Sequence, residues 1–233
     1  MTALLVILTF ALLVGADYAM VRRHQRQQAR ARAHAPPPEP LRAATEAIPP
    51  GIFLQPSYTW SRVGEWGEIY VGVHPMLLGL IGTPLEVDFR AVGAQVTRGE
   101  PLALVGRGSR RLTVHAPVSG RVDRVNRPAL AGKTGWRGVD AATGPWLYRI
   151  LPDRIADEMG AWLSGDAAAR WTRESYQRLR AYLTDQVAHS DLGVAMADGG
   201  ELPVGILADM DDPVWQGLDQ QIAREERATE DRT

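Results

Sequence analysis

Apolar and polar positions divide the chain into three regions. Residues 2–15 are apolar without a charge, and the run extends to Val21, giving the roughly 20 residues that a helix needs to cross a bilayer. From 51 to 152, short runs that alternate apolar and polar residues lie between glycines and prolines, as half-buried strands do. From 153 onward, apolar residues at spacings of three and four predict helices. The pattern therefore predicts a mainly β protein with C-terminal helices and one N-terminal transmembrane helix.

The central region contains seven predicted strands. They cover residues 58–60, 68–73, 85–89, 101–105, 111–116, 120–125 and 146–150. Between the second and the third, the stretch from His74 to Gly82 predicts a short helical turn that ends at a glycine. Many short strands at this spacing favour a small β-sandwich or flattened barrel.

The transmembrane segment, residues 1–21, is followed by a basic and then proline-rich linker, residues 22–50. Five arginines come directly after the span, namely Arg22, Arg23, Arg26, Arg30 and Arg32. By the positive-inside rule they predict a single-pass protein of the inner membrane, with its N-terminus outside and its main domain cytoplasmic. Whether these arginines also bind anionic lipid headgroups or act only as a topology signal stays open. A cleaved signal peptide fits less well, because no basic residue precedes the apolar run.

The C-terminal part is strongly acidic, although the formal net charge of the whole chain is only -1. Residues 191–233 form a tail with eleven acidic side chains and three arginines, and a short helix is predicted from Pro213. This tail either offers Trp215 to a partner or folds back on the domain. Residues 153–190 form a helical extension whose aromatic side chains either cover the β domain or form a docking face. The near-neutral total predicts no binding to nucleic acid.

Glycines, prolines and apolar residues between Trp60 and Gly120 follow a fixed register. They include Val71-Gly72-Val73, Leu80-Ile81-Gly82, Val92-Gly93, Val96, Gly99-Glu100 and Ala116-Pro117-Val118-Ser119-Gly120, followed by Asn126 and Gly144-(x)-Trp146-Leu147. In this register the chain resembles the glycine cleavage system H protein family over roughly residues 51–165. The resemblance implies a lipoyl-type β-sandwich for residues 51–152.

In the family that the chain resembles, a lipoyl group hangs from a lysine at the tip of a β-hairpin. The matching position lies eight residues before Pro117, and here it is Ser109. A serine hydroxyl does not form the stable amide that a lysine amine forms with lipoate, so the resemblance implies a degenerate lipoyl position and no cofactor. Gly106 stands where the family has a glutamate. Lys133, the only lysine of the chain, falls in the loop after Asn126 and not on the hairpin.

Three arginines surround this position. Arg107, Arg110 and Arg111 offer forked donors that suit a carboxylate, a phosphate or an acidic partner surface, and a solvated turn is the alternative. The chain has no cysteine, its histidines show no metal-ligand spacing, and no serine lies in a nucleophile elbow. His74 and His115 are expected to have structural roles. We therefore predict no enzymatic activity, no metal and no small-molecule substrate.

These features predict a non-catalytic, membrane-anchored H-protein-like scaffold or accessory subunit of a membrane protein complex, for example a respiratory or photosynthetic one. Its expected partners are the lipid bilayer and other proteins. A first alternative is a lipoate-dependent carrier related to glycine cleavage or sulfur metabolism, modified at Lys133. A second is a transport adaptor of the membrane-fusion type, but the helical hairpin that such adaptors insert is missing from the sequence.

Overall fold

The computed structural model describes residues 41, 47–83, 85–127, 136, 145–188 and 201–230, which belong to one compact unit, Pro40–Thr233. The strands are β1 (Phe53–Gln55), β2 (Thr59–Val63), β3 (Ile69–Val73), β4 (Glu86–Phe89), β5 (Gln95–Val96), β6 (Pro101–Arg107), β7 (Arg110–His115), β8 (Gly120–Val125) and β9 (Tyr148–Pro152). The helices are α1 (Pro75–Ile81), α2 (Ile155–Glu158), α3 (Gly165–Ala188) and α4 (Asp212–Glu230), with 3₁₀ turns at Met159–Ala161 and Ile206–Asp209.

The strands form two antiparallel sheets that face each other. The large sheet has the order β1-β2-β3-β9-β8-β5, and the small sheet has the order β4-β6-β7. Val71 and Ile150 of the large sheet and Val105 and Leu112 of the small sheet are fully buried in one shared core. Burying both inner faces together is the usual way to stabilise two such sheets. The prediction of a mainly β protein with C-terminal helices is confirmed.

A second, smaller core lies on the outer face of the large sheet. Trp60, Trp136 and Trp146 are its largest side chains, and Ala168 of α3 packs with them. A Cβ atom on Gly72 would lie 2.3 Å from the Trp60 ring, so only glycine lets that ring lie flat on β3. The helical extension therefore covers part of the β domain, which is one of the two alternatives left open by the sequence.

Two strands of the structure were not predicted from the sequence. β1 and β5 contain only three and two residues, too few to show an alternating pattern. The first helix after the β domain is short, because α2 begins after Arg154 and has no side-chain cap. α2 has only four residues and passes directly into a 3₁₀ turn.

His74 begins α1 and is fully buried. Its Nδ1 accepts a hydrogen bond from the backbone N of Met76 at 3.1 Å, and its Nε2 lies 3.4 Å from Thr172 Oγ1. The Thr172 hydroxyl donates to Ala168 O at 2.9 Å, so the remaining role for Thr172 Oγ1 is to accept from His74 Nε2–H. Burial lowers the pKa of His74 to about 3, which keeps the ring neutral. This environment supports the structural role expected for this histidine.

The acidic C-terminal region folds back on the domain. α4 has 19 residues, more than the short helix expected from the sequence, and it buries Trp215, Leu218 and Ile222 in the main core. Tyr182 on α3 donates to Val214 O at 3.0 Å, which joins the two helices. Trp215 is therefore a core residue and is not available to a partner.

No helix in the described part of the chain is long and apolar enough to cross a membrane. The predicted transmembrane segment, residues 1–21, lies outside the described residues, and so does the linker as far as residue 40. The membrane span and the topology derived from it stay predictions.

Candidate functional site

The tip of the β6–β7 hairpin is the position that the sequence marks for function. The two strands pair as far as Arg107 and Arg110, and Gly108 and Ser109 form the turn. Gly108 has φ +61°, which glycine adopts without strain. Ser109 is exposed at this tip, in the place expected from the register. The tip therefore presents a hydroxyl and no amine.

The hairpin backbone also explains the glycine at position 106. A Cβ atom there would lie 1.9 Å from the carbonyl oxygen of Arg110, far inside van der Waals contact. Gly106 pairs directly with Arg111 across the hairpin. A glutamate at this position would therefore require the hairpin backbone to move.

Arg111 is held by the neighbouring edge strand. Its Nη2 donates to Glu86 Oε2 at 2.8 Å and its Nε donates to Asp88 Oδ2 at 3.1 Å. A further bond joins its Nη1 to the Gly108 carbonyl in the turn. The hydrogen bond to Asp88, followed by the bond to Glu86, raises the pKa of Arg111 above its usual range. The charge of this arginine is therefore neutralised by carboxylates of the small sheet itself.

Arg110 is held from the other side by the start of α4. Its Nε donates to Asp212 Oδ1 at 2.6 Å, and its Nη1 donates to the Met210 carbonyl. Arg107 is different, because its side chain has no hydrogen bond or ion pair within the described residues and the residue is half-exposed. Of the three arginines proposed for partner contact, only Arg107 is thus without an internal partner among the residues described.

α4 continues along β7 with further polar contacts. Asp219 Oδ1 accepts from the backbone N of Thr113 at 2.6 Å, and its Oδ2 lies 3.3 Å from Thr113 Oγ1. Farther along, Glu226 Oε2 lies 2.9 Å from His115 Nδ1. A backbone N–H on an edge strand is open to pairing with another chain unless something covers it. Asp219 covers it here, so α4 protects the outer edge of the hairpin.

Two side chains outside α4, those of Arg178 and Tyr58, hold this helix on the domain through Glu225. Glu225 accepts from Arg178 Nε at 3.1 Å and from the Tyr58 hydroxyl at 3.4 Å. Tyr58 is buried with φ +56°, a left-handed conformation that is rare for a non-glycine residue. Burial, and next the charge of Glu225, raise the pKa of Tyr58 well above its usual range, so the hydroxyl stays a donor.

The remaining sequence-predicted residues do not join this site. Lys133 and the five membrane-proximal arginines, Arg22, Arg23, Arg26, Arg30 and Arg32, lie outside the described residues. Within the described ranges, no group of three metal-ligating side chains comes together. Sequence reasoning missed Asp212 and Asp219 as partners of the hairpin. The opposite charges of hairpin and tail were the available signal, but they do not tell which carboxylate meets which group.

Comparison with known proteins relates the β domain to one family. The family described as "Glycine cleavage H-protein" matches residues 53–174, from β1 into the first half of α3. The "Glycine cleavage system H protein" of Stenotrophomonas maltophilia strain K279a is 32% identical over 122 residues, covering 52% of this chain and 92% of the relative. That of Nitrosospira multiformis is 31% identical over 111 residues, covering 48% and 84%.

A solved structure gives a weaker match. The crystal structure of a glycine cleavage system H protein from Mycobacterium marinum is 22% identical, with a TM-score of 0.38, and covers 48% of this chain and 97% of that one. The family match ends at residue 174, so α4 lies outside it.

Proposed function

Because the chain belongs to the glycine cleavage H-protein family, we propose that it uses the fold of that family without the lipoyl arm. In this proposal the chain is a non-catalytic, membrane-anchored scaffold or accessory subunit of a membrane protein complex. Residues 1–21 hold it in the inner membrane, and the β domain lies on the cytoplasmic side. The domain binds proteins and converts no substrate.

One observation carries this proposal: Ser109 occupies the hairpin tip at which the resemblance places the lipoyl lysine. Lipoate is held through an amide, and a hydroxyl supplies no nitrogen for it. Gly106 supports the same conclusion, because the backbone packed against it excludes the glutamate that family members have there. The site residues thus do not fit a lipoyl group.

The contacts around the tip support attachment in place of a swinging arm. Arg111 is bound by Glu86 and Asp88, and Arg110 is bound by Asp212 of α4. A hairpin fixed from both sides presents one conformation to a partner, which lowers the entropy cost of binding. The segment that fixes it, α4, comes from outside the region matched by the family.

The lipoyl question is decided by intact mass of the full chain expressed in a host that lipoylates its own H protein. We expect an unmodified chain. Ser109→Lys is the matched variant, since it restores an amine at the tip, and Lys133→Arg gives a chain without any lysine. The proposal would be contradicted if the wild-type chain carried a lipoyl group and the Lys133→Arg variant did not. That result would establish the carrier alternative.

The subunit proposal needs a separate experiment. The chain is extracted from its native membrane in a mild detergent, and the proteins that co-purify are identified. We expect a defined set of membrane-complex subunits that survives a second purification step. Recovery of the chain alone in every mild detergent would count against a subunit role.

Topology is read by adding protease to vesicles of known orientation. A cytoplasmic domain is digested in inside-out vesicles and protected in right-side-out ones. Digestion only from the periplasmic side would overturn the proposed topology and favour the transport-adaptor alternative.

A further inference from the structure

The turn between β2 and β3 exposes a tryptophan. Trp66 is 90% exposed, between the end of β2 at Val63 and the start of β3 at Ile69. The buried side chain of Glu68 shapes the turn, because Oε2 accepts from the backbone N of Trp66 at 3.0 Å and Oε1 accepts from the Tyr70 hydroxyl at 3.3 Å. A large ring held out on a fixed turn contributes nothing to the core, and it is free to contact another surface.

Arginines lie on the sheet face that begins beside this turn. Arg62 pairs with Tyr70, Tyr70 with Arg149, and Arg149 with Arg124, so the four form one row across β2, β3, β9 and β8. Asp123 balances the charge of Arg149, with its Oδ2 2.5 Å from Arg149 Nε. Arg62 and Arg124 have no ion pair within the described ranges. This surface therefore combines an exposed tryptophan with two arginines that form no ion pair, beside the carboxylates of Glu65 and Glu68.

An anionic membrane surface has matching chemistry. Each arginine near such a surface raises the ratio of membrane-contacting to free domains roughly fivefold. Tryptophan prefers the interface between headgroups and hydrocarbon. The length of the tether is also suitable, because only 19 residues lie between Val21 and Leu41. The backbone N of Leu41 donates to Leu202 O at 2.8 Å, which fixes the end of the tether to the domain. Such a tether spans at most about 70 Å, so the domain stays close to the bilayer and a weak contact is enough to orient it.

We propose that the row of Arg62 and Arg124, together with Trp66, rests on the anionic lipid surface and orients the domain against the membrane. The inference rests on the proposed membrane anchor. It adds a second lipid contact made by the folded domain itself. The hairpin tip with Ser109 is then left to protein partners.

The absence of cysteine from the chain allows a direct test. Glu65→Cys places one reactive thiol in the turn next to Trp66, where an environment-sensitive fluorophore is attached. The full chain is reconstituted in vesicles of phosphatidylcholine with or without phosphatidylglycerol. We expect blue-shifted, brighter emission only with phosphatidylglycerol, and loss of the change at high salt, because salt screens exposed charges. Gln177→Cys, on the exposed side of α3, is the matched control site and should show no change.

Two further variants separate charge from the aromatic ring. Arg62→Gln with Arg124→Gln is expected to lower the ratio of contacting to free domains about 30-fold. Trp66→Ala should keep the salt dependence and lose most of the blue shift. Emission at position 65 that is equal in both vesicle types, or unchanged in the double variant, overturns the proposal and favours an acidic protein surface.

The anchor is scored separately in the same samples. After the fluorescence measurement, the vesicles are washed at alkaline pH and retained protein is measured. Loss of the chain in the wash would refute the anchor, whereas the emission recorded before the wash still decides whether the sheet face binds lipid. Failure of the surface contact with full retention would refute only the inference made here.

Discussion

Replacing His74 with asparagine tests the buried imidazole through the pH dependence of stability. Burial lowers the pKa of His74 from the ordinary value of 6.5 to about 3. Between these two values the unfolded chain binds a proton at this position and the folded chain does not. This stability contribution is therefore complete above pH 6.5 and is lost progressively as the pH falls toward 3. From pH 7 to pH 5 the free energy of unfolding should fall by about 2 kcal/mol from His74 alone.

His74→Asn is the suitable variant because asparagine is a good N-cap residue. Its side-chain oxygen can replace Nδ1 as the acceptor for the backbone N of Met76, and it has no titratable group. The variant loses the contact to Thr172 and some packing, which lowers stability by an amount that does not depend on pH. Only the slope of the difference between wild type and variant reports the ionisation.

The measurement is urea unfolding of the full chain in a mild detergent at several pH values between 7 and 5. We expect the stability advantage of the wild type over His74→Asn to shrink by about 2 kcal/mol across this range. A difference that stays constant within about 0.5 kcal/mol would show that His74 titrates alike in both states. The reasoning from its burial would then be refuted.

Three further changes test how the hairpin and α4 are held together. Gly106→Ala should lower the free energy of unfolding, measured with urea, by about 2 kcal/mol or more, because the alanine Cβ would overlap a carbonyl oxygen of the facing strand. Asp219→Ala should lower the free energy of unfolding by about 1–3 kcal/mol and speed hydrogen exchange at the Thr113 amide. Asp219→Asn should lower it less, because the amide oxygen still accepts a hydrogen bond, and equal losses would contradict this role. Ile222→Ala should lower the free energy of unfolding by about 2–5 kcal/mol, whereas Gln216→Ala, at an exposed position of the same helix, should lower it by less than about 0.5 kcal/mol. Equal effects would mean that α4 is not packed on the domain.

The resemblance to the H-protein family located the hairpin tip, and the count along the sequence holds in the structure because the neighbours of the tip are constrained locally. Turn glycines such as Gly93 and Gly99 have positive φ, and the count from Pro117 to Ser109 runs through one regular strand. Alternation placed most strands correctly for the same reason, since it depends on residues only two positions apart. Local rules of this kind transfer directly from the printed sequence to the structure.

The contacts that hold the tip could not be predicted in the same way. Arg110 meets Asp212 across 102 positions of the chain, and Thr113 meets Asp219 across 106. The spacing of Trp215 and its apolar neighbours predicts which side of a helix is buried, but it does not tell which strand that side covers. For this reason the sequence left two alternatives for the tail, and only the packed structure distinguishes them.

The pairing of the hairpin arginines changes where a charged contact is to be sought. The sequence offers Arg107, Arg110 and Arg111 as equals, but two of them are neutralised by carboxylates of the same domain. Freeing either one for a partner would leave its internal carboxylate without a partner, and that cost reduces the gain from binding. Arg62 and Arg124 on the large sheet carry no such cost within the described part of the chain. A partner or surface that selects positive charge should therefore contact Arg62 and Arg124 of the large sheet, or Arg107 of the hairpin, in preference to Arg110 and Arg111.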